Sequence, residues 1–299
     1  MILYYALGGG LGHITRAFAI LTHFGAFRKK SHLLVSSKHA KLALPYSPCK
    51  IHKIDGKNFQ TKRDYYDFLR DFLNRNQIKV IILDTFPFGI LGEFTKLSLH
   101  IPKILVARSI NFSAYLNKIK FKKGSPPNFS LIIEPLEENY FKWLRKYTII
   151  DQIHAPIILS NSLQYPNKNY KPKSNCVVIH SGEESERKIL IDIVKSRKLT
   201  NGLPPDLIHP SLGIYPAESI MKQYQWIVSG AGYNMAANAF LLKGNKHHIL
   251  YPFKRTFDLQ DQRIKRIYSN RWLKKKINGA KDAANLLLGK INKWTGDFR

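Results

Sequence analysis

Twice in this chain a short apolar run ends in a cluster of glycines and passes directly into a segment with helical spacing. In the first instance residues 2–7 are apolar, Gly8, Gly9, Gly10 and Gly12 form the turn, and residues 13–24 carry apolar side chains at helical intervals. In the second, residues 226–229 are the strand, apolar up to Val228, and Gly230-Ala231-Gly232 the turn. Short apolar, β-branched runs at residues 32–35, 80–83 and 103–106, separated by helical stretches such as residues 64–76, extend the alternation. Strands that alternate with helices predict the α/β class, with parallel sheets covered on both faces.

A second series follows residues 165–174, a stretch dense in Pro, Asn, Lys and Tyr that reads as linker or surface loop. Beyond it the pattern predicts strands at residues 176–180, 206–209 and 226–229, a helix at 184–197, and a closing strand and helix at 248–252 and 259–268. Two halves of like rhythm predict two Rossmann-like domains, residues 1–160 and 161–299. A length of 299 residues suits this division, because single cores stop growing at about 250–300 residues.

Composition narrows the function classes. Hydrophobic residues make up 44% and charged residues 23%, so enough apolar surface exists to offset the entropy of ordering, which excludes global disorder. Cys49 and Cys176 fall outside any CxxC or Cys/His spacing, so neither a disulfide framework nor a zinc site is expected. No apolar run reaches the about 18 residues of a membrane span, and the apolar start lacks the basic flank of a secretory signal. The expected location is cytoplasmic, or peripheral on the cytoplasmic face of a membrane. A net charge of +28 draws the chain toward anions: nucleic acid, anionic lipid or phosphorylated small molecules. A lysine-coated surface without a partner accounts for it equally.

Glycines at a strand-to-helix turn let another molecule approach the backbone, and the helix start offers free N–H groups at a positive dipole end. Gly9, Gly10 and Gly12 therefore form a candidate loop for an oxyanion or sugar hydroxyl, with Arg16 one turn on to anchor an anion or pair with an acid. The spacing differs from the dinucleotide fingerprint, and Ser36, Ser37 and Lys38 stand where that fingerprint has an acid, which disfavours NAD(H). His13, at the mouth of the turn, can take a proton from a hydroxyl near neutral pH, or simply cap its helix. Ser229, Gly230, Ala231, Gly232, Tyr233 and Asn234 form a candidate pyrophosphate seat. Asp258 and Gln260, in the polar loop after a late strand, can reach the same crevice and bond sugar hydroxyls.

Residues 9–13 with Arg16, Asp84-Thr85-Phe86-Pro87-Phe88-Gly89, residues 101–108, Tyr215-Pro216-Ala217, and residues 229–234 and 252–260 together resemble the GT-B glycosyltransferases. The nearest type is family 28, which includes the UDP-N-acetylglucosamine transferase of peptidoglycan synthesis. The resemblance implies an N-terminal acceptor domain, a C-terminal nucleotide-sugar domain and a reaction in the cleft between them. It puts His13 in the place of the family's general base, residues 229–234 at the donor diphosphate, and Asp258 with Gln260 at the donor sugar. Ser181 and Gly182, in His180-Ser181-Gly182-Glu183, would line the same cleft. Where the family often sets a glutamate against the nucleotide ribose, this chain has Asn238, a neutral and weaker acceptor.

The implied reaction moves a hexosyl or N-acetylhexosaminyl group from a nucleotide-diphosphate sugar, UDP-linked, to a hydroxyl acceptor, lipid-linked or polysaccharide. Fixed N–H dipoles at a helix start can hold the leaving phosphate without a metal, and no Asp-x-Asp pair occurs to bind one. Attack assisted by His13 would invert the anomeric centre. No cofactor is expected, the nucleotide sugar being a substrate, and nucleic acid is not the expected partner. Two other readings stay open. One is a nucleotide-sugar hydrolase on the same scaffold, since a Gly-x-Gly-His turn also occurs in the UDP-sugar hydrolase of pseudaminic acid synthesis. The other is a non-catalytic nucleotide-sugar or polyanion binding protein, suggested by Asn238 and the +28 charge.

The remaining features read as structural. His247 and His248 adjoin a strand and would point to opposite faces, against a shared metal. Lys118, Lys120, Lys122 and Lys123, with the run at residues 274–276, read as solvated charge, or with Phe112, Tyr115, Phe121 and Trp272 as a surface for an anionic membrane. Glu93 and Glu134 are candidate cleft acids.

Overall fold

The computed structural model describes residues 1–97, 100–159, 170–241, 247–269, 275 and 277–296. Residues 165–169 of the expected linker at residues 165–174 lie outside them, as do Trp272, Lys274 and Lys276.

The first lobe is built on β1 (Ile2–Ala6), β2 (Ser31–Val35), β3 (Lys50–Lys53), β4 (Val80–Asp84), β5 (Lys103–Ala107), β6 (Phe129–Ile132) and β7 (Ile149–Gln152). They form one sheet in the order β3-β2-β1-β4-β5-β6-β7, every neighbouring pair parallel. Helices α1 (Gly12–Leu21), α2 (Ala40–Ala43), α3 (Lys62–Arg75), α4 (Phe112–Lys118) and α5 (Glu138–Tyr147) connect them. Successive residues of β1 are all buried, yet Ile2, Tyr4 and Ala6 join one core cluster while Leu3, Tyr5 and Leu7 join another. That split is the period of a strand covered on both faces. Helix α3 starts where Thr61 and Asp64 satisfy each other's backbone N–H groups in a capping box, and it buries Tyr65, Leu69, Phe72 and Leu73 along one stripe.

The second lobe is smaller. Strands β8 (Cys176–Ile179), β9 (Asp206–Ile208), β10 (Trp226–Gly230) and β11 (His247–Tyr251) run parallel in the order β11-β10-β8-β9. Its helices are α6 (Glu184–Ser196), α7 (Glu218–Met221), α8 (Tyr233–Leu241) and α9 (Gln260–Tyr268). The sequence pattern did not separate out β3, β6 or β7. Strand β6 is interrupted by Ser130, and β3 and β7 are part-exposed edge strands without a continuous apolar run.

The last helix, α10 (Ala280–Thr295), crosses back to the first lobe. It packs on α1 and β6, and Ala283, Ala284, Leu287 and Ile291 share a core with Ile14 and Phe18. The outer layer of the first lobe thus includes chain from beyond residue 160. Helix α8 joins the same core through Ala236, Ala237 and Phe240, so the back of the cleft is one continuous apolar contact. The aromatic part of the expected membrane surface is used elsewhere. Phe112 and Tyr115 are buried, and Phe121 stacks on Phe88 at 4.6 Å, which leaves the lysines there as exposed charge alone. Among the described residues no helix is long and apolar enough to cross a membrane.

Candidate active site

A cavity of about 810 Å³ lies between the lobes, at the carboxyl ends of both sheets. In the first sheet the chain leaves β1 toward β2 on one side and returns as β4 on the other. In the second, β8 stands between β9 and β10 in the same way. Such reversal points are where open α/β sheets leave a crevice for ligands. The starts of α1, α6 and α8 all line the cavity, through Gly12 and His13, Ser181 to Glu183, and Gly232 to Met235 respectively. Neither α1 nor α6 has a side-chain cap, so backbone N–H groups and positive dipole ends face one space from both lobes. The walls are close: a Cβ on Gly10 would stand 3.7 Å from Ser181 Oγ, and Asn234 Nδ2 donates to the Gly12 carbonyl at 3.1 Å.

His13 is set by Asp84, at the end of β4. The carboxylate Oδ2 lies 2.5 Å from His13 Nδ1, which leaves Nε2, free of hydrogen bonds to the described residues, on the ring that lines the cavity. Arg16 grips the same carboxylate with a fork, its Nε donating at 2.8 Å and its Nη2 to the other oxygen. Burial by itself would raise the Asp84 pKa, but Arg16 and His13 outweigh it and hold the carboxyl well below the usual range. Burial lowers the pKa of His13, partly offset by Asp84, so the imidazole is neutral at neutral pH. A neutral ring whose Nδ1–H is held by a carboxylate carries its lone pair on Nε2. Thr85 follows Asp84 with φ of 75°, rare for a β-branched residue, and its Oγ1 accepts from Arg16 and Arg108, each at 3.1 Å.

Of the residues singled out in the sequence, Gly9, Gly10, Gly12, His13, Arg16, Ser181, Gly182, Gly230, Gly232, Tyr233, Asn234, Asp258 and Gln260 line this cavity. Ser229, Ala231 and Asn238 stand behind its wall. Ser229 Oγ bonds His248 Nε2 at 2.8 Å, Ala231 is core, and Asn238 Nδ2 donates to Glu218 Oε1 at 3.2 Å. Asp258 pairs with Arg108 at 3.2 Å and Arg263 at 2.8 Å, and also accepts from Gln260 at 3.0 Å. The Gln260 carbonyl oxygen accepts from the Phe253 amide at 3.0 Å. Arg16, read as an anion anchor or a partner for an acid, takes the second role and is 2% exposed.

Neither Glu93 nor Glu134 reaches the cavity, which corrects their reading as cleft acids. Glu93 is enclosed with Tyr5 and the Leu91 amide, and Glu134 takes a two-bond fork from Arg263 at 2.8 and 2.9 Å. Asp84 itself was visible in the sequence only as part of a resemblance. Its position at the end of the strand beside β1 was the signal that it faces the turn after β1. Glu186 and Glu218 were missed as site residues; Glu218 lines the cavity, as does His180, whose turn was expected there. His247 stacks on Trp226 while His248 bonds Ser229, on opposite faces as strand geometry requires. Among the described residues no group of three or more His, Cys, Asp or Glu side chains is placed to hold a metal ion.

Two parallel-sheet α/β domains enclosing such a cleft define the GT-B fold, which this chain has. Solved structures of the same shape include the Streptomyces sp. SF2575 glycosyltransferase SsfS6, at TM-score 0.52 and 12% identity, covering 90% of this chain and 85% of that one. The spinosyn forosaminyltransferase SpnP matches at TM-score 0.51 and 12% identity, over 98% of this chain and 95% of its own. The UDP-GlcNAc 2-epimerase of Neisseria meningitidis, bound to UDP-GlcNAc, matches at TM-score 0.56 and 10% identity, over 98% and 100%. No protein-family model matches the sequence, and no curated protein matches it.

Proposed function

We propose that this protein is a glycosyltransferase that moves a hexosyl or N-acetylhexosaminyl group from a UDP-linked sugar to a hydroxyl acceptor, with inversion, in the manner of family 28. The observation that carries this reading is the Asp84-fixed imidazole of His13 in a cavity shared with uncapped helix starts. The diphosphate sits at the start of α8 and near that of α6, where fixed N–H dipoles compensate the charge that grows on the leaving group, with no divalent cation needed. The acceptor hydroxyl attacks the anomeric carbon from the face opposite the diphosphate and gives its proton to His13 Nε2, while Asp84 stabilises the imidazolium that forms. Fold neighbours that are glycosyltransferases, and a UDP-GlcNAc 2-epimerase bound to UDP-GlcNAc, support a nucleotide-sugar ligand.

Glu218 supports a nucleoside end to the site. Its carboxylate, held by Asn238, lines the cavity beside Ile214, Tyr215 and Met235, so an acceptor for ribose hydroxyls and an apolar wall for a base stand together.

Incubation with radiolabelled UDP-sugars and candidate acceptors tests the proposal. The label should move to the acceptor as the anomer opposite to the donor, and His13→Ala should abolish the transfer while UDP still binds. Free sugar as the only product would assign a hydrolase, a C2 epimer still on UDP an epimerase, and tight UDP binding without turnover a binding protein.

A further inference from the structure

A second imidazole–carboxylate pair, whose histidine lines the cavity, is not used by the reaction above. His180, directly after β8, has Nε2 at 2.7 Å from Glu186 Oε2, on α6. Glu186 is also gripped by both Nη atoms of Arg255, one of them at 2.8 Å. Arg255 foremost holds the Glu186 pKa down at about 2, so this carboxylate has its counter-ion without His180. The glycines around the pair are shaped to it. A Cβ on Gly182 would strike both Glu186 and His180 Nε2, and one on Gly230 would stand 3.3 Å from His180 Nδ1 and 3.2 Å from Phe253. The Phe253 ring backs the imidazole at 4.9 Å.

The consequence lies at Nδ1. With its Nε2–H donated to Glu186, a neutral ring carries its lone pair on Nδ1. Burial supports the neutral form. Nδ1 makes no hydrogen bond to the described residues, and the side chain, 10% exposed, lines the cavity. An acceptor that opens on the cavity can take a ligand O–H or N–H, and a phosphate oxygen of a diphosphate at neutral pH has no proton to offer. His180 adjoins the Gly230–Gly232 turn and packs on Phe253, at the start of the loop that carries Asp258 and Gln260.

We propose that His180 is a specificity-determining residue that accepts a hydrogen bond at Nδ1 from a hydroxyl of the sugar borne by the diphosphate, with Glu186 and Arg255 fixing its orientation. This rests on the nucleotide-sugar reading. It differs from the role of His13, since His180 sorts sugars and takes no proton.

Calorimetric titration with UDP, UDP-glucose and UDP-N-acetylglucosamine, and with TDP-glucose and GDP-mannose, tests it. His180→Ala should weaken the preferred nucleotide sugar by about tenfold and leave its bare nucleotide diphosphate unchanged. His180→Asn, whose Oδ1 falls where Nδ1 stands, should restore most of the loss, and His180→Gln should not. If the alanine variant does not fold, the contrast between Asn and Gln decides. Equal weakening of sugar and bare nucleotide would make His180 a phosphate ligand, and no weakening of either would make it structural; each overturns the proposal. A wild-type protein that binds none of these nucleotides would instead overturn the nucleotide-sugar reading on which it rests.

Discussion

The Cα of Gly8 lies under the imidazole of His13, so close that a methyl group there would come within 2.7 Å of Nε2. Gly8→Ala should therefore displace the ring from its cavity position and lower turnover by about 100-fold, the scale on which misplacement of a reacting group by about 1 Å acts. Gly56→Ala is the control, because a Cβ there meets nothing within 4 Å and the residue lies away from the cavity. Equal rates for the two variants would show that the ring position does not matter.

Asp84 orients His13 and neutralises Arg16 at once. Asp84→Asn should lower kcat by about 10²- to 10⁴-fold, since the fixed tautomer and the stabilised imidazolium are both lost. It should also destabilise the fold by about 3–5 kcal/mol by leaving Arg16 buried without a counter-ion. Rate assays and chemical denaturation check the two effects separately, and a variant of unchanged stability would contradict the buried ion pair.

The base must be neutral to act, and burial sets the His13 pKa below its ordinary 6.5. The acid limb of kcat/KM, which reports the free enzyme, should have its midpoint below pH 6.5, with activity rising through it to a plateau at neutral pH. A midpoint at or above pH 7 would assign the limb to another group.

Glu93 is fully enclosed, and burial raises its pKa to about 7. A carboxyl raised on folding favours the native state in its protonated form. Its contribution is complete below the ordinary value of 4.5 and lost as pH rises through about 7. Thermal unfolding should show stability declining across that window, and Glu93→Gln should flatten the decline. Parallel curves for wild type and variant would place the titration elsewhere.

Arg263, 0% exposed, links the lobes through Glu134 and Asp258 and donates to the Ala231 carbonyl at 3.0 Å. Arg263→Met strands the buried Glu134 and should cost about 3–5 kcal/mol in denaturant unfolding. A loss well under this would mean that Glu134 finds another partner or a proton.

What the sequence by itself determined is the local part of the architecture. Alternating residues of β1 divide between two cores, the helical stripe of α3 buries four side chains, and the glycine turns before α1 and α8 line the cavity, all within a few residues of one another. These follow from the periods of strand and helix and from the freedom of glycine, which need no distant partner. Tertiary structure alone decided the chemistry around them. Strand order set Asp84 against His13, 71 residues away, and turned Asn238 toward Glu218. It drew Asp258 into a pairing with Arg108 and Arg263 and returned α10 to the first lobe. A side chain's charge state and partners depend on which strands lie side by side and on how completely water is excluded, and only the assembled sheets specify either.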